Sequence, residues 1–559
     1  MQLNSADLKK LYDEKKYSEI IDIIEKTVSD QDRNSEQLNF LGVCKLLNDT
    51  SKESLNSAKK DFRRAYLQEK NTQNGLLALK NFVNLSMDLF DKDFRLGNDT
   101  NKEVFDEIFL YFNEKKDVFE KEESFIRTII RVFKRYLDLD NVILYLKKII
   151  EINDKDIGAI CTYLYYNCYR RDWDQKKFFE FSQILNRNLP LYPSNELNNL
   201  TDSKNKKINL AFFSSDIRHK HAVTFFLKTV LMDYDKEKFD IFLYFNNKED
   251  ETTKEFKNII PRNKNMLGKS DIDVINSIRN DKIDIMINLM GVSSEHRLEL
   301  FKNRLAKKQV LWCGYNNTTG IDQMDYLISD KNSIYTDEKN FYSEEIIYLK
   351  DIWSCHSGFS KNREFNEAPI IKNKFITFGS FNNFRKINDD VINAWSKILK
   401  QVPNSKLILT PSDSASLHLI SEKFLKKGVL NSIKFQSYKK NFDEHLNQYN
   451  KIDLALDTFP YNGVTTSFES IWMGVPVLTI KGYNFISRAG DSINKNLGLD
   501  ELIAENEDDY IKKAISLAKT KNKILDLRKI VYDNALRSPL FDRKKFCNEF
   551  FTSLEKIYN

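Results

Sequence analysis

Asp453–Pro476, DLALDTFPYNGVTTSFESIWMGVP, is the stretch from which the fold can be read. Leu454–Leu456 is a short apolar run and reads as a buried strand. Asp457 to Gly463 reads as a turn-rich loop, with Pro460 and Asn462-Gly463 as breakers. Val464 to Met473 places Phe468, Ile471 and Trp472 at helical spacing, and Gly474 is a stop signal. The order is strand, loop, helix N-terminus. A helix start offers unpaired N–H groups and the positive end of the dipole, which suits a phosphate. Thr465 and Thr466 add two hydroxyl donors, and Gly463 lets a ligand approach the backbone. The plainer alternative is an ordinary loop whose threonines cap a helix.

The same texture extends to both sides. Phe375–Gly379, Lys406–Leu409, Ile433–Phe435 and Val477–Ile480 read as further strands, and helices run from about Asp508 to the C-terminus. Upstream, Ile208–Phe213, Phe239–Phe245, Ile283–Leu289, Gln309–Trp312 and Tyr326–Ser329 make an earlier set. Strands alternating with helices imply a parallel sheet covered on both faces. Ligands on such sheets sit beyond the C-terminal strand ends. Ser214–His221 and Asp284–Gly291 are expected at or near such ends. Glu364–Asn373 reads as the linker between the two sets. Two α/β domains in series make a cleft, a common place for a ligand.

The front of the chain is different. Residues 1–189 hold no Pro and only four Gly (42, 75, 97 and 158). Leu8, Leu11 and Tyr12 form one apolar face; Tyr17, Ile20, Ile21 and Ile24 form the next. Leu38, Leu41-Gly42 and Cys44 start a further pair, answered by Leu55, Ala58, Phe62 and Ala65. Val142, Leu146, Ile149 and Ile150 repeat the pattern. Short helix pairs with a small residue at the crossing resemble degenerate tetratricopeptide repeats. The functional expectation is a solenoid that binds a peptide or a second subunit; the alternative is a plain helical cap. Leu189–Lys207 is polar and breaker-rich, a second linker. The expected domains are 1–200, helical repeats; 206–365, a first Rossmann-like lobe; and 372–559, a second.

Composition bounds the function. A chain of 559 residues holds about three domains. The net charge of +6, from 87 basic and 81 acidic residues, is nearly balanced. Neither a nucleic-acid groove nor binding to an anionic membrane is therefore expected. Six Cys are scattered without a CxxC pair, so no zinc site or disulfide framework is signalled. A reducing compartment fits that usage. MQLNSADLKKLYDEKK lacks the apolar core of a signal peptide, and no run of about 18 apolar residues is present. The expectation is a soluble cytoplasmic protein without a membrane span. EF-hand and HExxH spacings are absent, so no metal is expected.

From about residue 206 onward the chain resembles the O-GlcNAc transferase and SPINDLY-like glycosyltransferases of family 41. The stretches that carry the resemblance are SSDIRHKHAVTFFL (214–227), DKIDIMINLMG (281–291), VLWCGYNNTTGIDQMDYLISD (310–330) and FNNFRKINDDVINAWSKILKQVPNSKL (381–407). DTFPYNGVTTSFESIWMGVPVLT (457–479), SRAGDS (487–492) and SPLFD (538–542) complete them. The resemblance implies a GT-B fold, two Rossmann-like lobes facing a donor cleft, behind a tetratricopeptide-like solenoid. It also implies metal-independent transfer, with a helix N-terminus and a cation stabilising the leaving diphosphate.

Through the resemblance, Lys386 of FNNFRK is the lysine at the diphosphate. Asn383 is a polar contact beside it, and Asn462, Gly463, Thr465 and Thr466 lie near the phosphates. His445 of DEHLNQYN matches a histidine near the nucleotide. Asp457 orders the loop, and Glu469 either reaches the sugar or caps backbone donors. His221 is the candidate for the histidine near the acceptor hydroxyl. One extra residue in that loop leaves His219 as the alternative. Asp284 stands where the animal enzyme has a histidine, with either a site or a structural role. Val464 likewise replaces a histidine after Asn-Gly, which leaves the donor open.

The expected activity is inverting transfer of a sugar to Ser or Thr of an acceptor protein held by the repeats. UDP-GlcNAc is the first choice of donor, GDP-fucose and UDP-glucose the alternatives. A non-catalytic repeat adaptor with a degenerate transferase half is the rival from another class. Helical solenoids often pair, so a homodimer is one expected assembly.

Overall fold

The computed structural model describes residues 5–96, 103–192, 207–219, 221–293, 296–359, 363–411, 414–437, 439 and 441–559. Most of the expected linker Leu189–Lys207, together with Gly97 and Lys220, lies outside them. The chain divides into two compact units. One is Met1–Ile152 with Asp413–Leu419; the other is Asn153–Ser412 with Ile420–Asn559.

Among the described residues, nine α-helices run from Ser5 to Ile152. Polar side chains cap some of them. Asn34 makes a capping box with Gln37 ahead of the Ser35–Asn48 helix, and Ser51 caps the Lys52–Gln68 helix. These two helices form the hairpin expected from their apolar residues. A Cβ on Gly42 would stand 2.7 Å from the Phe62 ring, so the crossing needs a residue without a side chain. Leu8, Leu11, Tyr12, Tyr17, Ile20, Ile24, Leu41 and Cys44 join in one apolar cluster.

The second unit contains two parallel sheets. The first has strands β1 (Ile208–Ser214), β2 (Phe239–Phe245), β3 (Asn263–Asn265), β4 (Ile285–Asn288), β5 (Lys308–Leu311), β6 (Tyr326–Asp330) and β7 (Glu345–Leu349). Their order is β3-β2-β1-β4-β5-β6-β7. The second has β8 (Thr377–Ser380), β9 (Lys406–Leu409), β10 (Ile433–Phe435), β11 (Leu454–Leu456), β12 (Val477–Ile480) and β13 (Ile503–Ala504), in the order β10-β9-β8-β11-β12-β13. The order of the parallel strands reverses at the centre of both sheets, between β1 and β4 and between β8 and β11. These are the switch points where such sheets bind ligands. Every residue of β1 and of β11 is buried, as expected of central strands covered on both faces.

The two lobes are locked together at several points. The Arg488 guanidinium of the second lobe donates to Glu338 of the first (2.7 Å) and lies 3.8 Å from the centre of the Tyr335 ring. The Ser492 hydroxyl donates to the buried Asp330 carboxylate (2.7 Å). The last helix, Arg543–Tyr558, returns to the first lobe and sets Phe550 against Trp312 at 4.8 Å and Phe551 against Phe239 at 5.0 Å. The helices Ile157–Asn167 and Gln175–Asn188, counted by their composition with the repeats, fall in this second unit. Their contacts are with the lobes: the Gln175 amide donates to Asn317 (2.8 Å), and Lys302 donates to Asn186 (2.7 Å). No helix among the described residues is long and apolar enough to cross a membrane.

Candidate active site

Asp457 follows β11 directly, at the switch point of the second sheet. Its carboxylate is buried and accepts the N–H of Gly463 (2.7 Å), the N–H of Thr458 (2.8 Å) and the hydroxyl of Thr479 (2.9 Å). These bonds fold residues 457–463 back on themselves and aim the following helix, Thr465–Trp472, at the cleft. Burial raises the Asp457 pKa to about 6, against the pull of those donors and of Lys386. The helix begins at Thr465; Val464 precedes it, and no side chain caps it. The threonines are therefore not caps, and the positive end of the helix faces the cavity.

Asn462 and Gly463 act differently from the expectation. The Asn462 side chain donates to Thr458 O (3.0 Å) and accepts from Gly490 N–H (3.2 Å), so it holds the loop and is fully buried. Its backbone carbonyl is the part that reaches the lysine. A Cβ on Gly463 would stand 2.4 Å from Thr466 Oγ1 and 2.7 Å from Asn382 Oδ1. The glycine is thus required by protein packing, whatever a ligand does. Thr466 donates to Asn382 (2.9 Å) and thereby joins the two loops of the second lobe.

The other loop follows β8. Asn383 opens the short turn Phe384–Lys386 by accepting the Arg385 N–H (3.0 Å), and Lys386 ends it. The Lys386 ammonium group donates to the carbonyl of Asn462 (2.7 Å) and stands 4.3 Å from the centre of the Tyr461 ring. Loss of solvating water lowers its pKa to about 8, while Asp457 works in the opposite direction.

The first lobe faces this with the loop after β1. His221 Nε2 lies 3.3 Å from Asp216 Oδ1, and Arg218 donates to the same oxygen (3.1 Å). His221 Nδ1 is buried and has no hydrogen-bond partner. Burial lowers the His221 pKa below the ordinary histidine value; Asp216 opposes this and Arg218 adds to it. Together these residues line one cavity of about 500 Å³: Asp216, Arg218 and His221 from one lobe; Asn383, Lys386, Thr465 and Thr466 from the other.

The remaining expected residues lie elsewhere. His219 is exposed and its N–H donates to Asp250 (2.7 Å), so of the two histidines only His221 lines the cavity. His445 and Glu469 do not line it either. Their side chains pair at 3.0 Å, and the Tyr449 hydroxyl donates to the same Glu469 oxygen (2.8 Å), so Glu469 braces the back of the helix.

Asp284 was expected near a C-terminal strand end. It precedes β4, at the opposite end of the strand, because the strand proper begins at Ile285. Wholly buried, it accepts the Asn209 N–H (2.9 Å) and pairs with Lys307 (3.1 Å). Asp284→Ala is expected to cost about 2–4 kcal/mol of stability, since it leaves a buried donor and a cation unpaired. Denaturant melting of wild type and variant checks this.

Asp216 and Arg218 belong to the 214–227 stretch, where an acidic residue just after a central strand is the signal that marks them. Asn382 is buried between Thr466 and Asp457, while its neighbour Asn383, the expected contact, is exposed. Tyr165 and Tyr169 also line the cavity, and nothing in a tyrosine-rich helix marks them for it. Among the described residues no three His, Cys, Asp or Glu side chains gather as a metal site.

A model of glycosyl transferase family 41 matches residues 183–360 and 362–550. The chain is 32% identical over 350 residues to the tomato (Solanum lycopersicum) protein named "Probable UDP-N-acetylglucosamine--peptide N-acetylglucosaminyltransferase SPINDLY"; the match covers 60% of this chain and 37% of that protein. The Petunia hybrida protein of the same name is 33% identical, with the same coverage. A Caenorhabditis elegans protein named "UDP-N-acetylglucosamine--peptide N-acetylglucosaminyltransferase" is 20% identical over 471 residues, 63% of this chain and 41% of its own length. The chain thus spans about two fifths of the length of these relatives. Among solved structures, a point variant of the Thermobaculum terrenum O-GlcNAc transferase superposes with a TM-score of 0.75 at 23% identity. That superposition covers 90% of this chain and 94% of the other, and it supports the two-lobed fold behind a helical front.

Proposed function

The chain belongs to glycosyl transferase family 41, and from that premise we propose that it is an inverting protein O-glycosyltransferase. It moves a sugar from a nucleotide diphosphate donor to a Ser or Thr hydroxyl of an acceptor protein. The names of its relatives commend UDP-GlcNAc as donor. The observation that carries the reading is a single cavity at both switch points. It has an uncapped helix N-terminus and one lysine on one side, and a histidine–aspartate pair on the other.

Each part has a role that its chemistry suits. The N–H groups at Thr465 and Thr466 and the Lys386 ammonium group meet the negative charge that grows on the diphosphate as the sugar bond breaks. A lysine supplies the countercharge without a metal. His221, neutral near pH 7 and held at Nε2 by Asp216, lines the cavity and is the group assigned to take the proton of the attacking hydroxyl. The acceptor oxygen forms its bond to the anomeric carbon as the nucleotide diphosphate leaves from the opposite face. The helical unit is assigned to capture of an acceptor segment.

The test is a thermal-shift panel of UDP, GDP, UDP-GlcNAc, UDP-glucose and GDP-fucose. Ligands that bind only the folded state stabilise it by mass action, so UDP and UDP-GlcNAc are expected to raise the melting point. A rise with GDP and GDP-fucose alone would overturn the UDP-GlcNAc assignment. Nucleotide binding without turnover of any donor would favour the adaptor reading, and no binding at all would remove the transferase reading.

A further inference from the structure

The lysine in the cavity is not held by its own lobe alone. Its ammonium group stands 4.3 Å from the centre of the Tyr461 ring, within reach of the negative ring face. Behind Tyr461 lies Tyr169, with ring centres 5.1 Å apart, and the Tyr169 hydroxyl donates to that of Tyr165 (3.4 Å). Tyr165 sits in the Ile157–Asn167 helix and Tyr169 just after it. The segment is tied down independently: the Asn388 amide donates to Tyr169 O (3.4 Å) and to Phe459 O (2.9 Å), bridging it to the loop that carries Tyr461. Arg171 pairs with Glu507 (2.7 Å) on the far side of the same segment.

We propose that Tyr461 and Tyr169 are positioning residues: a stack of rings, anchored in the helical segment before the first lobe, fixes where the Lys386 ammonium group stands in the donor site. The inference deepens the transferase reading and rests on it for the word donor, though not for the geometry. A long side chain with four rotatable bonds is confined by two contacts, the Asn462 carbonyl and the ring face. The ring also keeps water from the ammonium group, in line with the lowered proton affinity of Lys386. Among the described residues, the other charged and titratable groups around the cavity are Asp457 behind Lys386, Arg385 beside it, Tyr165 and Tyr169 of the stack, and Asp216, Arg218, His221 and Cys313 on the facing lobe.

Burial by the ring and attraction to its face push the lysine in opposite directions, and this makes the test sharp. Competitive acetylation of the full chain with trace acetic anhydride across pH, read by mass spectrometry at Lys386, reports its titration without any donor. Tyr461→Phe keeps ring and burial and should titrate as wild type does. Tyr461→Ala admits water, and the midpoint should rise toward the ordinary lysine value. Tyr461→Leu keeps the burial and removes the ring face, so the midpoint should fall. Tyr169→Ala should shift it in the same direction as Tyr461→Ala, by less.

Equal midpoints in all five proteins would overturn the proposal, as would a Tyr461→Phe midpoint displaced as far as that of Tyr461→Ala. A merely structural loop effect would lower stability without opposite shifts in the Ala and Leu variants. In the donor panel, Tyr461→Leu should lose about fivefold in affinity for the nucleotide that wild type selects, and Tyr461→Phe should keep it. If wild type binds no nucleotide, the transferase reading fails, while the labelling result still decides the tyrosine stack.

Discussion

Lys386→Met is expected to lower donor turnover by about 10³-fold, which corresponds to about 4 kcal/mol of lost transition-state stabilisation. Methionine keeps the length of the stem and removes the charge. The loss should fall on turnover more than on donor KM, because the negative charge on the diphosphate is largest as the sugar departs. The same variant should melt no lower than wild type. The folded-state pKa of Lys386 is lowered to about 8, so below that pH the folded protein holds a poorly solvated ammonium group at a cost. Between pH 8 and the ordinary lysine value the unfolded chain binds more protons than the folded one, so the stability of wild type rises with pH in that window. Lys386→Met removes this dependence. Steady-state kinetics and melting curves at pH 7 and pH 9.5 check both halves. Wild-type turnover in the variant would sink the role assigned to Lys386.

Asp457→Ala is expected to give the largest loss of stability of any change at the site, about 3–4 kcal/mol, and to abolish nucleotide binding with it. The carboxylate accepts two backbone N–H groups and one hydroxyl, all buried, and alanine leaves them without partners. For a lobe of this size the melting point should fall by about 10 °C. Asp457→Asn separates the two effects. Its amide oxygen can still accept from Gly463 and Thr458, so the loop should survive. The negative charge that favours protonated Lys386 is gone, so nucleotide affinity should fall most steeply above pH 7. The aspartate's own pKa is raised to about 6. Its titration therefore adds stability below the unfolded value, near pH 4, and that stability is lost as pH rises through 6. The Asn variant should lack that acid-side gain in a denaturant titration.

Much of the architecture was legible in the chain because central parallel strands are buried on both faces. LAFF, IMI and LAL are unbroken apolar runs for that reason, and each lies in a central strand. The strands passed over were β3, NKN, at one edge of the first sheet, β7, EIIYL, at the other, and the two-residue β13 at an edge of the second. NKN has no apolar residue and IA is too short to mark a strand, whereas the IIYL of β7 carried a signal that the reading missed. The loop after β11 was legible because Pro460, Asn462-Gly463 and Gly474 punctuate it, and the helix Thr465–Trp472 lies within the Val464–Met473 span that the spacing predicts.

Sequence alone determined the class of the fold and its strand–loop–helix unit at the switch point, and the resemblance pointed to Lys386 and, with His219 as alternative, His221, both of which line the cavity. These follow from local periodicity, turn chemistry and a shared order of motifs. Tertiary structure alone decided which atoms do the work. It turned the Asn462 side chain inward, gave Gly463 a packing role, sent Asp284 to the far end of its strand and paired His445 with Glu469. It also brought Tyr169, 292 positions earlier in the chain than Tyr461, against that ring. The physical reason is that periodicity reports whether a side chain is buried. What it is buried against is set by contacts between segments hundreds of residues apart, and no local pattern encodes them.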